Sequence, residues 1–217
     1  MQVKRTPAQV EGKLQESRVI GIARLKDAES VINAGMESAA HGLAALEVPF
    51  TVPGATDAIE ALRARLGADV LVGAGTVRTN QQVKWAVDAG AQFLVAPGLN
   101  LSVVETARAA GVLLVPGVYT ATEVDLALRL GLTFLKLFPA IPAGPEYMAA
   151  LLQPFPEARF APTGGVGPEN ASAFIKAGAA ALGMGSSVFP AQRIEADGLR
   201  VIGPLIRTAL ERARVGA

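Results

Sequence analysis

The chain is 217 residues long, 51% hydrophobic and 18% charged with a formal net charge of +1, which is enough material to enclose one large core. It has no basic block and no apolar stretch near the ~20 residues of a membrane span, so nucleic acid and membrane drop out as expected partners. It also has no cysteine and one histidine, His41, which excludes disulfides and any zinc site built on Cys or several His ligands; lysine, carboxylates, arginine and hydroxyls are left to carry chemistry.

Residues 1–16 alternate charged and apolar positions and lack a signal peptide's continuous apolar core, so the expected compartment is the cytoplasm. A first helix is expected over about residues 7–16, ahead of the first strand, where it would cap the bottom of the fold. Short apolar, β-branched runs follow at 19–25, 44–50, 70–75, 93–97, 112–116, 134–138, 159–162 and 180–183. Each is succeeded by a polar or glycine-rich turn and a helical pattern. His41 falls in Ser38-Ala39-Ala40-His41-Gly42, which reads as a last helical turn before a glycine stop, where a histidine mainly favours the helix C-terminus. Capping boxes pair Thr79 with Gln82, Ser102 with Glu105 and Thr120 with Glu123, and the helices they open close on Gly90, Gly111 and Gly131. Another helix starts with Pro168 near its first turn and stops at Gly178. The last, over about 198–214, carries Leu199, Ile202, Leu205, Ile206, Leu210 and Val215 at helical spacing, a stripe suited to packing on the core.

Eight strand–helix repeats whose strands are apolar on both faces describe a parallel sheet covered by helices, and eight is the number that closes a (β/α)8 TIM barrel. The expected architecture is therefore a single α/β domain over residues 1–217, an extra N-terminal helix followed by a barrel over about 18–214, with a doubly wound open sheet as the competing arrangement.

In such a barrel the C-terminal strand ends surround the active site. Arg24 ends the first strand, Glu47 lies in the second, Thr76 follows the third, Lys136 lies in the sixth and Thr163 follows the seventh. Lys136 is the most telling, set in Phe134-Leu135-Lys136-Leu137-Phe138-Pro139-Ala140. Desolvation disfavours the ammonium and drives such a lysine towards the free amine that attacks carbonyls; the plainer alternative is a strand-end lysine whose head escapes to solvent. Lys136 shares a face with Phe134 and Phe138, and Glu47 with Ala45. Facing inward near the mouth is cheaper for both than burial under helices. Together they suit Schiff-base chemistry, with Arg24 binding a carboxylate and Glu47 shuttling protons. A buried Lys–Glu pair serving stability alone is the alternative.

Two glycine-rich segments, Pro162-Thr163-Gly164-Gly165-Val166-Gly167 and Gly183-Met184-Gly185-Ser186-Ser187, stand where barrels often bind phosphate through backbone N–H groups. Gly73-x-Gly75 lacks the third glycine of a dinucleotide fingerprint.

The chain resembles the class I 2-keto-3-deoxy-6-phosphogluconate (KDPG) aldolases, also called 4-hydroxy-2-oxoglutarate aldolases, over about residues 17–189. The likeness rests on Leu46-Glu47-Val48-Pro49-Phe50-Thr51-Val52-Pro53, Val72-Gly73-Ala74-Gly75-Thr76-Val77, Ala96-Pro97-Gly98, Val115-Pro116-Gly117-Val118, Leu135-Lys136-Leu137-Phe138-Pro139-Ala140 and Pro162-Thr163-Gly164-Gly165-Val166. The resemblance implies that Lys136 forms an imine with pyruvate and that Glu47 donates and accepts protons. It also implies that Thr76 and Pro97 line the pyruvate pocket, that Thr163 sits near the aldehyde end, and that Gly164, Gly165, Gly185 and Ser186 hold the phosphate. It further implies a homotrimer that needs no metal or other cofactor. Many members carry an arginine four residues after the glutamate, where this chain has Thr51; a branch with the same Phe-Thr-Val-Pro run supplies it from the end of strand one, here Arg24. The implied reaction is reversible cleavage of KDPG to pyruvate and glyceraldehyde 3-phosphate, and also of 4-hydroxy-2-oxoglutarate to pyruvate and glyoxylate. The alternatives are cleavage of the phosphogalactonate epimer, a phosphosugar isomerase or epimerase on the same barrel, and a non-catalytic phosphometabolite-binding protein.

Overall fold

A computed structural model describes residues 5–141 and 143–215 of the protein. Helix α1 (Pro7–Ser17) begins at a capping box the sequence reading did not pick out: Thr6 and Gln9 cap each other's backbone N–H groups, with Pro7 in the first turn. Its Val10 and Leu14 are buried at the bottom of a barrel of parallel strands. The strands are β1 (Val19–Ile22), β2 (Ala45–Pro49), β3 (Leu71–Gly75), β4 (Phe93–Val95), β5 (Leu113–Val115), β6 (Gly117–Val118), β7 (Phe134–Leu137), β8 (Arg159–Pro162) and β9 (Leu182–Met184). They run in the orders β5-β4-β3-β2-β1-β9 and β6-β7-β8, all pairs parallel.

These nine segments make eight staves, because β5 and β6 are one stave interrupted at Pro116. Proline has no N–H to give the ladder. Its carbonyl still accepts from the Lys136 N–H at 2.9 Å, so the wall continues past the break. Between β8 and β9 the bridge Thr163–Gly183 closes the ring. The fold is thus the (β/α)8 barrel that the repeats imply. The last run shifts from 180–183 to Leu182–Met184, because the Ala180 N–H turns to Phe160 and pairing with the first stave starts only at Leu182, whose N–H bonds to Arg18.

Around the staves lie α2 (Ala28–Ala40), α3 (Ala55–Arg65), α4 (Asn80–Asp88), α5 (Leu101–Ala109), α6 (Ala121–Arg129), α7 (Gly144–Leu152), α8 (Ala171–Lys176), α9 (Ala191–Asp197) and α10 (Ile202–Arg214). Thr120 and Glu123 form the expected box on α6. Thr79 caps α4, but the Gln82 side chain accepts from the Arg78 N–H at 2.7 Å rather than completing a box. Ser102 does not cap α5; Asn100 does, its Oδ1 accepting from both the N–H and the hydroxyl of Ser102 at 3.0 Å. Pro168 stands in the turn before α8. The helix expected over 198–214 forms as α10, entered through a 3-10 turn at Leu199–Val201, and ahead of it stands α9, which the sequence did not signal and which ends at Gly198 (φ +78°). The buried face of α10 is Ile202, Gly203, Ile206, Ala209 and Ala213, while Val215 is exposed. His41 ends α2 on the surface, with Nε2 3.0 Å from Glu37 Oε1 and Nδ1 2.8 Å from Arg207 Nη1.

Strand alternation divides the core in two. Ile20, Ala45, Leu71, Phe93, Val95, Val115, Phe134, Ala161 and Ala181 fill the barrel interior above α1, and a larger cluster packs between staves and helices. The large interior side chains lie low and small ones lie above them. Gly73 sits where a Cβ would meet the Phe93 ring at 2.6 Å, and a Cβ on Gly75 would overlap the Glu47 carboxylate. The interior is packed at its N-terminal end and opens towards the C-terminal strand ends.

Candidate active site

Ala45 and Phe134 point into the interior, so Glu47 and Lys136, two residues on, do so as well, one layer nearer the mouth. The register gives both room. Lys136 is flanked by Gly117 and Ala161, and Glu47 by Ile22 and Gly73. Arg24 continues the inward phase of Ile20 and Ile22 past the end of β1, as Thr163 continues that of Ala161 past β8. Thr76 breaks the pattern. Leu71, Gly73 and Gly75 face inward, so a regular continuation would turn Thr76 out. Its backbone is left-handed instead (φ +56°), and its side chain lines the cavity. For a β-branched residue that conformation costs about 1–3 kcal/mol, a strain typical of functional sites.

Above this layer lies a cavity of about 620 Å³ whose wall includes Arg24, Thr76, Pro97, Lys136, Thr163, Gly164, Gly165, Gly185 and Ser186. The structure therefore brings nine of the ten candidate residues to one cavity wall. The tenth, Glu47, is 2% exposed and lies just behind the wall. Sequence reading missed Ser187, Glu169, Phe138 and Phe189 as wall residues, and saw Thr51 only as the place of a missing arginine. Ser187 and Glu169 sit in loops, where no alternation signals direction.

Lys136 is only 6% exposed, and its Nζ lies 4.9 Å from the centroid of the Phe138 ring. It does not escape to solvent. Nor does it form an ion pair with Glu47 among the described residues, so the stability-only pair is not what the fold builds. Glu47 Oε1 is buried without a hydrogen-bond partner among the described residues. Burial pushes the Glu47 carboxyl above the ordinary carboxylate range, and the positive charges of Lys136 and Arg24 offset part of that.

At the other end, Gly164 (φ +90°) and Gly165 (φ +81°) hold left-handed backbone that favours glycine. The N–H groups of Gly164, Gly165, Gly185 and Ser186 donate to no acceptor among the described residues. All four residues line the cavity.

The family model described as KDPG and KHG aldolase matches residues 10–205. The chain belongs to the KDPG and KHG aldolase family. It is accordingly a lyase, a class I aldolase. The 2-dehydro-3-deoxy-phosphogluconate aldolase of Treponema pallidum is 37% identical over 91% of this chain and 94% of its own. A 2-dehydro-3-deoxy-6-phosphogalactonate aldolase of Escherichia coli is 38% identical over 75% of this chain and 76% of its own. Among solved structures, the KDPG aldolase of Legionella pneumophila, captured with pyruvate as a covalent carbinolamine, superposes with a TM-score of 0.86 at 30% identity, covering 95% of this chain and 99% of that one. Membership of this aldolase family sets aside the isomerase and non-catalytic readings.

Proposed function

We propose that this aldolase reversibly cleaves 2-keto-3-deoxy-6-phosphogluconate to pyruvate and glyceraldehyde 3-phosphate, and also takes 4-hydroxy-2-oxoglutarate, with Lys136 as the Schiff-base lysine. The observation that carries the reading is the Lys136 amine, buried, in no ion pair among the described residues and on the same cavity wall as Arg24 and the glycine amides. The Lys136 amine adds to the C2 ketone, and loss of water leaves an iminium. The C3–C4 bond then breaks with its electron pair drawn towards the iminium nitrogen, while Glu47 takes the C4 hydroxyl proton, directly or through a water, and the aldehyde leaves. Protonation of the enamine at C3 and hydrolysis of the imine release pyruvate and restore the amine.

Arg24 is the one arginine on the cavity wall, which suits it to the substrate carboxylate in bidentate fashion. Thr76 and Pro97 frame the pyruvate half, Thr163 the aldehyde, and the N–H groups of Gly164, Gly165, Gly185 and Ser186 the phosphate. The imine itself is the electron sink, so the reaction as written calls on no metal or cofactor. Family likeness also supports reading the enzyme as a cytoplasmic, single-domain homotrimer, and no helix among the described residues is long and apolar enough to cross a membrane. The 38% identity to a phosphogalactonate aldolase keeps the galactonate epimer as a second reading, since the two substrates differ only at C4.

Borohydride reduction in the presence of pyruvate is expected to add one pyruvate-derived group to Lys136, seen by peptide mass, and Lys136→Met should lose turnover by about 10³-fold or more. An active wild type that gives no adduct, or an adduct on another lysine, overturns the assignment. Pyruvate release from the two phosphorylated epimers and from 4-hydroxy-2-oxoglutarate then ranks the substrates.

A further inference from the structure

Three wall residues of the cavity are charged: Arg24, Lys136 and Glu169. The two cations serve the keto-acid half, which leaves Glu169 as the one charged wall residue not assigned to it, on the loop that also carries Gly164 and Gly165. It stands in the loop between β8 and α8, exposed, and its carboxylate makes no hydrogen bond or ion pair with any described residue. The carboxylate folds back over Gly167, where a Cβ would lie 2.6 Å from each of its oxygens, so glycine there leaves room for it. The neighbouring Asn170 ties the loop down, its Nδ2 donating to Gly165 O at 2.9 Å and its Oδ1 accepting from the Gly167 N–H at 3.0 Å. The backbone that carries Glu169 is fixed while its charge borders the cavity.

A carboxylate beside an amide cradle opposes what the cradle attracts. We infer that Glu169 is a specificity-determining residue that weakens the distal end's grip on a phosphomonoester dianion and so narrows the enzyme's preference for phosphorylated over unphosphorylated aldehydes. The cradle amides supply partial positive charge, and Glu169 subtracts from it across a water-filled mouth, an effect of a few-fold rather than of orders of magnitude. The inference rests on the aldolase reading for placing the aldehyde end at these loops, but its primary test needs no turnover.

Calorimetric titration with glycerol 3-phosphate should show Glu169→Gln binding about two- to fivefold tighter than wild type at about 20 mM salt, with the gain fading by about 0.5 M as charges are screened. Glu169→Asp, which keeps the charge, should stay near wild type. In the aldol direction, the ratio of kcat/KM for glyceraldehyde 3-phosphate over glyceraldehyde should rise in the Gln variant by a similar factor. Equal binding by wild type and Glu169→Gln overturns the inference, and so does a gain that persists in high salt, which would be a shape effect. Tightening without a pyruvate adduct on Lys136 would sink the aldolase reading and leave the charge effect standing.

Discussion

Glu47 is buried beside Lys136 in a place that disfavours its charge, and that cost can be measured. Burial raises the Glu47 pKa in the folded state above its unfolded value, so the folded protein holds that proton more tightly. The contribution of the protonated carboxyl is full below the unfolded-state pKa and is lost as pH rises through the folded-state pKa. Glu47→Gln, neutral at every pH, avoids the loss. Its urea midpoint relative to wild type should climb as pH is raised from the ordinary carboxylate range and level off above the raised pKa, while its turnover collapses. A stability difference that is flat with pH would mean that Glu47 is not held protonated. The sequence made this pair visible because charged residues inside apolar runs are rare. It could not show that the two form no ion pair among the described residues, since that depends on side-chain placement, and a Cβ at Gly75 would take the space of the Glu47 carboxylate. Thr76 was placed on the right stave, yet its inward turn comes from a left-handed backbone that no periodicity encodes.

Among the elements, local signals located several starts and stops, although the Thr6–Gln9 box went unread and the Thr79–Gln82 box is only half formed. The glycine stops at Gly90, Gly111 and Gly131 all take positive φ, and the Thr120–Glu123 box forms as spelled. At α5 the sequence pointed to Ser102, two residues past the residue that caps the helix. Asn100 wins because its short side chain reaches the Ser102 N–H while the Ser102 hydroxyl donates to it in turn. Asn100→Ala should therefore cost about 0.5–2 kcal/mol in chemical denaturation, the range for a lost N-cap, and Ser102→Ala clearly less. The reverse order would restore Ser102 as the cap. The short α9 escaped notice because it buries no residue and so carries no apolar stripe to read.

At the scale of the whole molecule, eight repeats announced the barrel, and with it a site at the C-terminal strand ends and a helix capping the bottom. The C-terminal face carries the cavity, and the N-terminal face is closed by α1, whose Val10 and Leu14 join Phe93 and Phe134 in the interior. Barrels commonly separate chemistry from stability in this way, because the packed layers between the faces are rigid. Leu14 is fully buried and belongs to the closing face. Leu14→Ala should then cost about 2–5 kcal/mol in unfolding free energy, the range for a leucine cavity in a core. Well below the transition temperature its kcat/KM should stay within about twofold of wild type, since the lost side chain lies beneath a full layer of interior residues. Urea denaturation and steady-state kinetics on the same preparation read the two quantities separately. A kcat/KM that falls in step with stability would show that the bottom of the barrel sets the position of the Lys136 amine, and that the two ends act as one unit.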